Sequence, residues 1–401
     1  MKIAYIDVNY KKGSTGKIIY ELLSSLNSGD EGLAFYGRGK SLKDNSAIKF
    51  SYDFETLCHA FLTRVTGFTG YFSFFSTKRL LKKLSIFKPD IIHIHEIHGY
   101  FMNYIPLLNY IAKHKIPVVI TEHCEFNYTG RCGHSLGCDN WKNGCGKCPH
   151  KKTYPKTLLF DFSKKMLKEK REAFSKINSA IICAPSTWLL NRSKTTFLGQ
   201  FEHELVKNGI DTNVFKYKDK EECRNLLKLD RNKKIVLCVA SDLFGPYKGG
   251  NLFLDVVRSE KMKDYEFILI GDNKPIKNCP TNVLFAGPIY DQDKLVNYYC
   301  AADVFLITSV IETFPTTCLE AACCGTPVVG FNVGGVAETT MPNYGSFAKL
   351  GDINGMVDAI QKMSEKQFNR KEISNTHIEL YSLNRMSEKY KDIYRKIIKR
   401  N

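Results

Sequence analysis

The sequence predicts an α/β protein made of two successive halves, each built on a parallel sheet. Short apolar runs alternate with helical stretches at the spacing of βαβ units. The alternation pauses in a turn-rich passage, Val206-Lys-Asn208-Gly209-Ile-Asp211 through Asn213-Val-Phe215, and restarts at Lys234. A chain of 401 residues is also too long for one compact core.

Residues 3–8 form an apolar strand, followed by the turn Asn9-Tyr-Lys-Lys-Gly13-Ser-Thr-Gly16 and a helical pattern over 17–26. Strand, glycine-rich turn, helix is how a nucleotide-binding α/β half begins. The glycine pair matches neither the dinucleotide fingerprint nor the Walker loop. Gly16 either lets backbone approach a ligand at a helix N-terminus or closes a plain tight turn. Residues 33–36 read as a strand. Residues 54–87 read as one amphipathic helical stretch, with basic Lys78, Arg79, Lys82 and Lys83. A buried strand at 91–95, a helix at 103–114 and a strand at 116–121 follow. His93 and His95 alternate with isoleucines and read as core or rim histidines. His123 stands at the carboxyl edge of its strand, where α/β proteins place ligand groups.

Cys132, Cys138, Cys145 and Cys148 come next, four thiols in a short glycine-rich span. They suit a tetrahedral structural zinc, with His134 and His150 as substitute ligands; reduced loop cysteines or an oxidised disulfide are the plainer readings. The other cysteines are scattered through apolar segments as small hydrophobes. Residues 151–176 are strongly basic, with Phe162, Met166, Leu167 and Phe174 at helical spacing. That pattern fits a solvated helix over core, or a surface helix near anionic lipid headgroups.

The second half repeats the scheme. A strand at 234–240 leads to a loop carrying Lys248-Gly249-Gly250, then a helix at 251–258. Strands at 265–270 and 283–286, a helix at 291–300 and a strand at 303–308 precede Glu312-Thr-Phe-Pro-Thr-Thr-Cys-Leu-Glu320. Pro315 suits a first helical turn, and Gly325 and Pro327 end the helix before a strand at 328–331. Glu312 is expected on the strand-to-helix loop and Glu320 about two turns into the helix. The N–H groups at 314–317 can take a phosphate while the carboxylates hold hydroxyls. Lys248 serves as a point charge for a diphosphate, or is a surface loop lysine. The tail from 375 is helical and basic.

No apolar run approaches a membrane span, and the N-terminal strand is no signal peptide, so a cytoplasmic protein is expected. The net charge is +17. Residues 1–215 hold 31 basic against 18 acidic residues and the remainder 27 against 23, so the excess sits in the first half. Nucleic acid, an anionic membrane surface, an anionic lipid substrate or a lysine-rich proteome bias each account for it.

Lys248-Gly-Gly, Glu312-x7-Glu320 with Phe314-Pro315, Gly325-Thr-Pro-Val-Val329 and Gly334-Gly335-x-x-Glu338 resemble the retaining family 4 glycosyltransferases of the GT-B fold. Asn208-Gly-Ile-Asp211 resembles that family's entry to its second domain. Gly13-Ser-Thr-Gly16, His95-x-x-His98-Gly-Tyr, His123, Thr129-Gly-x-Cys132 and Cys145-x2-Cys148-Pro149 look more narrowly like the bacterial colanic acid and exopolysaccharide enzymes. The resemblance implies two Rossmann-like domains facing across a cleft that closes on the donor, with the cysteine-rich insert in the first. Residues 1–212 would bind acceptor and 213–380 the nucleotide-sugar, with a helix at 381–401 packing back on the first domain. Glu320 would hold the ribose, Glu312 the donor sugar, and Lys248 with the backbone of Phe314, Pro315 and Thr316 the diphosphate. Gly16 would let its loop close over the phosphates, and His123 would lie near the sugar. No catalytic metal is implied.

Two positions depart from the family pattern. Leu243 stands where an Arg is usual, and the usual His-Asp pair reads His123-Cys124. The expected reaction moves a sugar from a UDP- or GDP-sugar to a lipid-linked or polysaccharide acceptor in bacterial surface polysaccharide synthesis, on the inner face of the membrane. An epimerase or phosphorylase on the same fold is the second reading. Nothing resembles a nucleic-acid module.

Overall fold

The computed structural model describes residues 1–272 and 279–400. The chain divides into two units, Met1–Lys207 with Met386–Asn401, and Asn208–Arg385.

The first unit holds seven parallel strands: β1 (Lys2–Asp7), β2 (Glu31–Tyr36), β3 (Ala47–Lys49), β4 (Ile91–Ile94), β5 (Val118–Thr121), β6 (Ala180–Ala184) and β7 (Glu202–Leu205). Their order is β3-β2-β1-β4-β5-β6-β7. Helices α1 (Gly13–Ser24), α2 (Asp53–Thr66), α3 (Phe74–Phe87), α4 (Tyr104–His114), α5 (Ser163–Phe174) and α6 (Thr187–Lys194) connect them. The central strands read as continuous apolar runs because every residue of β4, β5 and β6 is buried. From β1 the chain runs to one edge, returns beside β1 as β4, and runs to the other edge. The gap between β1 and β4 is therefore a topological switch point, where α/β sheets open a crevice at the carboxyl ends of their strands.

One sequence expectation changes here, and one open pair of readings is decided in favour of a helix over core. The stretch 54–87 is two helices, because Gly67 (φ +83°) and Gly70 (φ +77°) turn the chain left-handed after α2. A side chain at Gly67 would also strike the Phe160 carbonyl. In α5, Met166, Leu167 and Phe174 are buried, so its apolar face closes the core and is not a lipid-facing surface.

The second unit holds six parallel strands: β8 (Lys234–Val239), β9 (Tyr265–Ile270), β10 (Val283–Gly287), β11 (Val304–Ile307), β12 (Val328–Phe331) and β13 (Gly345–Ala348). The order β10-β9-β8-β11-β12-β13 puts a second switch point between β8 and β11. Helices α7 (Lys220–Leu227), α8 (Gly250–Val257), α9 (Gln292–Ala301), α10 (Thr316–Cys323), α11 (Ile353–Glu365) and α12 (Arg370–Tyr381) cover this sheet. The helical tail breaks at Ser382 into α12 and α13 (Leu383–Ile398). Tyr394 of α13 hydrogen-bonds His93 Nδ1 at 2.7 Å, and Tyr390 pairs with Thr121 at 2.7 Å, so α13 belongs to the first unit's core.

A buried ion cluster anchors α7 beneath the second sheet. Asp303, just before β11, accepts from Arg224 at 2.8 Å, Lys220 at 2.5 Å and the Ile235 amide at 2.7 Å. The Arg224 guanidinium, almost wholly buried, also bonds the carbonyls of Ala301 and Arg231. Removing one partner of a buried pair leaves an uncompensated charge. Arg224→Ala is therefore expected to lower unfolding free energy by roughly 3–5 kcal/mol in urea titration. Lys261→Ala, which removes an exposed pair with Asp358, should leave the midpoint nearly unchanged.

Candidate active site

In the second unit a cavity of ≈ 210 Å³ opens at the carboxyl ends of β8 and β11, at the switch point. Ser241, Leu243, Lys248, Thr308, Ser309 and Thr317 are among its lining. Among the described residues of that lining, Lys248 carries the only positive charge. Lys248 Nζ lies 2.6 Å from Glu312 Oε1, and Ser309 Oγ donates to the same oxygen at 2.9 Å. Two glycines make this possible. At Gly249 (φ +73°) a Cβ would stand 1.9 Å from the Thr308 carbonyl oxygen. At Gly334 (φ +57°) it would stand 1.9 Å from the Glu312 carbonyl oxygen, which accepts from the Gly335 amide at 2.9 Å. The Lys248-Gly249 and Gly334-Gly335 patterns thus hold one loop, from Thr308 to Glu312, from both sides.

Helix α10 begins beside that loop. Pro315 is its extended N-cap and Thr316 its first residue, one position later than the sequence suggested. No side chain caps this end, so the first-turn amides keep their hydrogen-bonding direction toward the loop. Phe314 turns inward and packs edge-on against Tyr381, ring centroids 5.9 Å apart, leaving only its backbone for a ligand. Glu320 is the fifth residue of α10, just over one turn in and not two. Tyr299, fully buried, donates to Glu320 Oε2 at 2.7 Å and orients the carboxylate. Leu243 is buried in the unit's core, so no cation replaces the family's Arg at that position. Tyr299 and Ser309 were missed from sequence. The only trace of Ser309 is its place three residues before Glu312.

In the first unit, the carboxyl ends of β1, β4 and β5 gather a second set of groups. Gly16 is packed so closely that a Cβ would meet the Asn9 carbonyl at 3.1 Å. His123 Nε2 hydrogen-bonds His95 Nδ1 at 3.0 Å and the two rings stack, while His93 lies tilted beside His95 with ring centroids 4.1 Å apart. Burial lowers the His123 pKa to about 4, so the ring is neutral. His93 and His95 are buried, as the alternation with isoleucines indicated. Asp7, unremarked in the sequence beyond its strand, is buried beside Glu96 and accepts from Thr15 at 2.9 Å. Burial first, and the Glu96 charge second, raise its pKa to about 8. Burial raises Glu122 to about 8 as well.

The four cysteines of the insert line one cavity of ≈ 20 Å³ with Trp141 and Ser163. They are free thiols. Among the described residues, the three potential metal ligands whose donor atoms all lie within 4.8 Å of one another are Glu96, His98 and Cys124, and not the insert cysteines. His98 Nε2 contacts Glu96 Oε2 at 2.6 Å and Cys124 Sγ at 3.3 Å. Burial opposes the His98 charge, but Glu96 outweighs it and holds the imidazole well above its usual pKa.

Residues 219–379 match the family described as glycosyl transferases group 1. The second unit carries this likeness to the group 1 glycosyl transferases. The whole chain is 23% identical to a protein of Escherichia coli K12 named as a colanic acid biosynthesis glycosyl transferase, WcaC, across 99% of this chain and 100% of that one. Sucrose-phosphate synthase from Thermosynechococcus elongatus superimposes with a TM-score of 0.72 at 17% identity, over 100% of both chains. An Anabaena protein solved in complex with UDP-glucose superimposes with a TM-score of 0.64 at 15% identity, over 99% of this chain and 100% of that one. The fold is GT-B, with a parallel sheet in each unit, as the motif pattern indicated.

The buried carboxyls of the first unit set a pH response. Asp7 and Glu122 keep protons in the folded chain that an unfolded carboxyl releases near pH 4. Folded stability from these groups is full below about pH 4 and declines as pH rises toward about 8. Asp7→Asn is expected to melt above wild type at about pH 8.5 and close to it at about pH 5, by calorimetry. A difference that does not vary with pH would show that the Asp7 carboxyl is unshifted.

Proposed function

We propose that this protein is a glycosyltransferase that moves a sugar, with retention of anomeric configuration, from a nucleoside-diphosphate sugar to a lipid-linked or polysaccharide acceptor in bacterial surface polysaccharide synthesis. The observation that carries the reading is Lys248 held by Glu312 at the rim of the switch-point cavity, beside the uncapped start of α10. A diphosphate placed there meets a lysine charge and helix N-terminal amides, which stabilise it as it leaves without a metal. Lys248 would exchange its bond to Glu312 for the phosphate, freeing Glu312 for sugar hydroxyls. Glu320, oriented by Tyr299, would take the ribose hydroxyls, as an ionised carboxylate is an acceptor only. With Leu243 buried, Lys248 is the cation that the described lining of the cavity offers a diphosphate. In the first unit, His123, with its neutral imidazole, and Gly16 are the proposed ligand-contacting residues.

The UDP-glucose complex of the Anabaena relative supports a nucleotide-sugar donor, and the colanic acid relative supports a polysaccharide product. A uridine or guanosine donor is expected. A thermal-shift panel of nucleotide-sugars should show one donor raising the melting temperature most, since it binds only folded protein. With that donor and an acceptor, Glu320→Ala should lower kcat/KM by roughly 10–100-fold, and Lys248→Ala by roughly 100-fold or more. Unchanged turnover in Glu320→Ala would reject the ribose assignment, and a product of inverted anomeric configuration in NMR would reject retention. Sugar turnover without acceptor would favour an epimerase.

The insert is a separate proposal. Its four cysteines line one cavity and carry the donor set of a structural tetrahedral zinc. Metal analysis of purified protein should return about one zinc per chain. A metal-free preparation that folds normally would show that the thiols are simply reduced.

A further inference from the structure

Helix α2 is inside out. Its buried side carries Thr56, His59 and Thr63. His59 is satisfied by polar contacts, receiving the Gly70 amide on Nε2 at 3.1 Å and bonding Ser73 through Nδ1 at 2.8 Å. Its solvent side carries Phe54, Leu57 and Phe61, which are 79%, 70% and 63% exposed. Amphipathic helices of globular proteins place these faces the other way round.

The neighbouring segments extend the same surface. Phe74, Phe75 and Ile86 of α3 are exposed, and so are Leu158, Leu159 and Phe160. The pieces are fixed to one another. Glu55 of α2 accepts from the Phe75 and Ser76 amides at 2.8 Å and so caps α3. The Leu158 amide bonds the Arg64 carbonyl at the end of α2 at 2.8 Å. The apolar face is therefore a prearranged platform rather than a set of stray side chains.

Positive charge surrounds it. Residues 49–88 hold seven Lys and Arg against two carboxylates, and residues 151–171 hold seven exposed Lys and Arg against two, the eighth, Lys170, being buried. Both carboxylates of the first segment are engaged, Asp53 by Lys49 and Glu55 by the start of α3. Along α3, Phe74, Lys78, Lys82 and Ile86 follow one another at intervals of four, so cations interleave with apolar side chains on one stripe. Protein–protein interface cores deplete lysine. Lysines flanking exposed aromatics instead fit a bilayer boundary, where apolar groups enter the acyl region and ammonium groups reach the headgroups.

We infer that α2, the exposed stripe of α3 and the loop Leu158–Phe160 form a docking surface for an anionic lipid bilayer. The chain lies on the membrane by this face and does not cross it, consistent with the absence, among the described residues, of a helix long and apolar enough to span one. The inference is independent of the donor assignment, because none of these residues belongs to the switch-point cavity.

The test is flotation of the full chain with phosphatidylcholine vesicles, with and without phosphatidylglycerol. Wild type should float with the anionic vesicles and much less with the neutral ones, and added salt should weaken the binding. Phe54→Ser with Phe61→Ser, and Lys78→Glu with Lys82→Glu, should each reduce binding by about tenfold or more while leaving the melting temperature unchanged. Leu57→Trp gives a second readout, its emission shifting to the blue when anionic vesicles are added. Wild type that stays at the bottom of the gradient would overturn the inference, as would serine variants that float like wild type. A lipid-free dimer that Phe54→Ser with Phe61→Ser dissociates, without vesicle binding, would assign the face to a second copy of the chain and overturn it equally.

Discussion

The second unit depends on how closely backbone can approach backbone at its switch point. The loop from Thr308 to Glu312 leaves β11 between two glycines, and any side chain at Gly249 or Gly334 would fall inside the carbonyl oxygen it faces. That double contact brings Lys248 to Glu312 and sets Ser309 on the same carboxylate. The cavity between β8 and β11, the start of α10 and the reach of Glu320 all follow from where this loop is pinned. The site is built mainly from backbone geometry, with Lys248 the one cation among the described residues of the cavity lining.

The first unit solves a different problem. Its switch point collects buried titratable groups, with Asp7 and Glu122 raised and His123 lowered in pKa, so burial keeps all three uncharged near neutrality. His98 and Glu96 go the other way and hold opposite charges against each other. Neutral and paired groups therefore sit at neighbouring strand ends. The same unit keeps polar side chains under α2 and apolar ones over it. Both features place side chains against the usual rule that charge and polarity face water, and both lie where a globular fold alone gains nothing from them.

Much of the architecture was legible because periodicity reports burial. Strands buried on both faces, such as Ile91–Ile94 and Val328–Phe331, read directly as apolar runs. Of the four edge strands, β10 was read and β3, β7 and β13 were not. β7 is Glu202-His-Glu-Leu205, and its acids are matched by Lys389 and Lys396 of α13 and by Arg400 just beyond it, nearly two hundred residues away in sequence. The break between α2 and α3 was also hidden, because Gly67 and Gly70 interrupt a pattern that otherwise continues in phase. Within the site, Lys248, Glu312 and Glu320 stood out by spacing. Tyr299 did not, since a tyrosine inside an apolar helix looks the same whether its hydroxyl meets solvent or a carboxylate.

The sequence by itself determined the class of protein: two parallel α/β halves, a glycine-flanked lysine, and a carboxylate pair around a helix start. Those features are local, set by spacing along the chain and by residues whose backbone preferences are intrinsic. Tertiary structure decided which groups share an oxygen, which carboxyls keep their protons, and which face of α2 is wet. Each of these depends on residues distant in sequence arriving at one place and removing water from it. The same apolar spacing that reads as core in α5 is core there, while in α2 it is surface, and only the packed fold distinguishes the two.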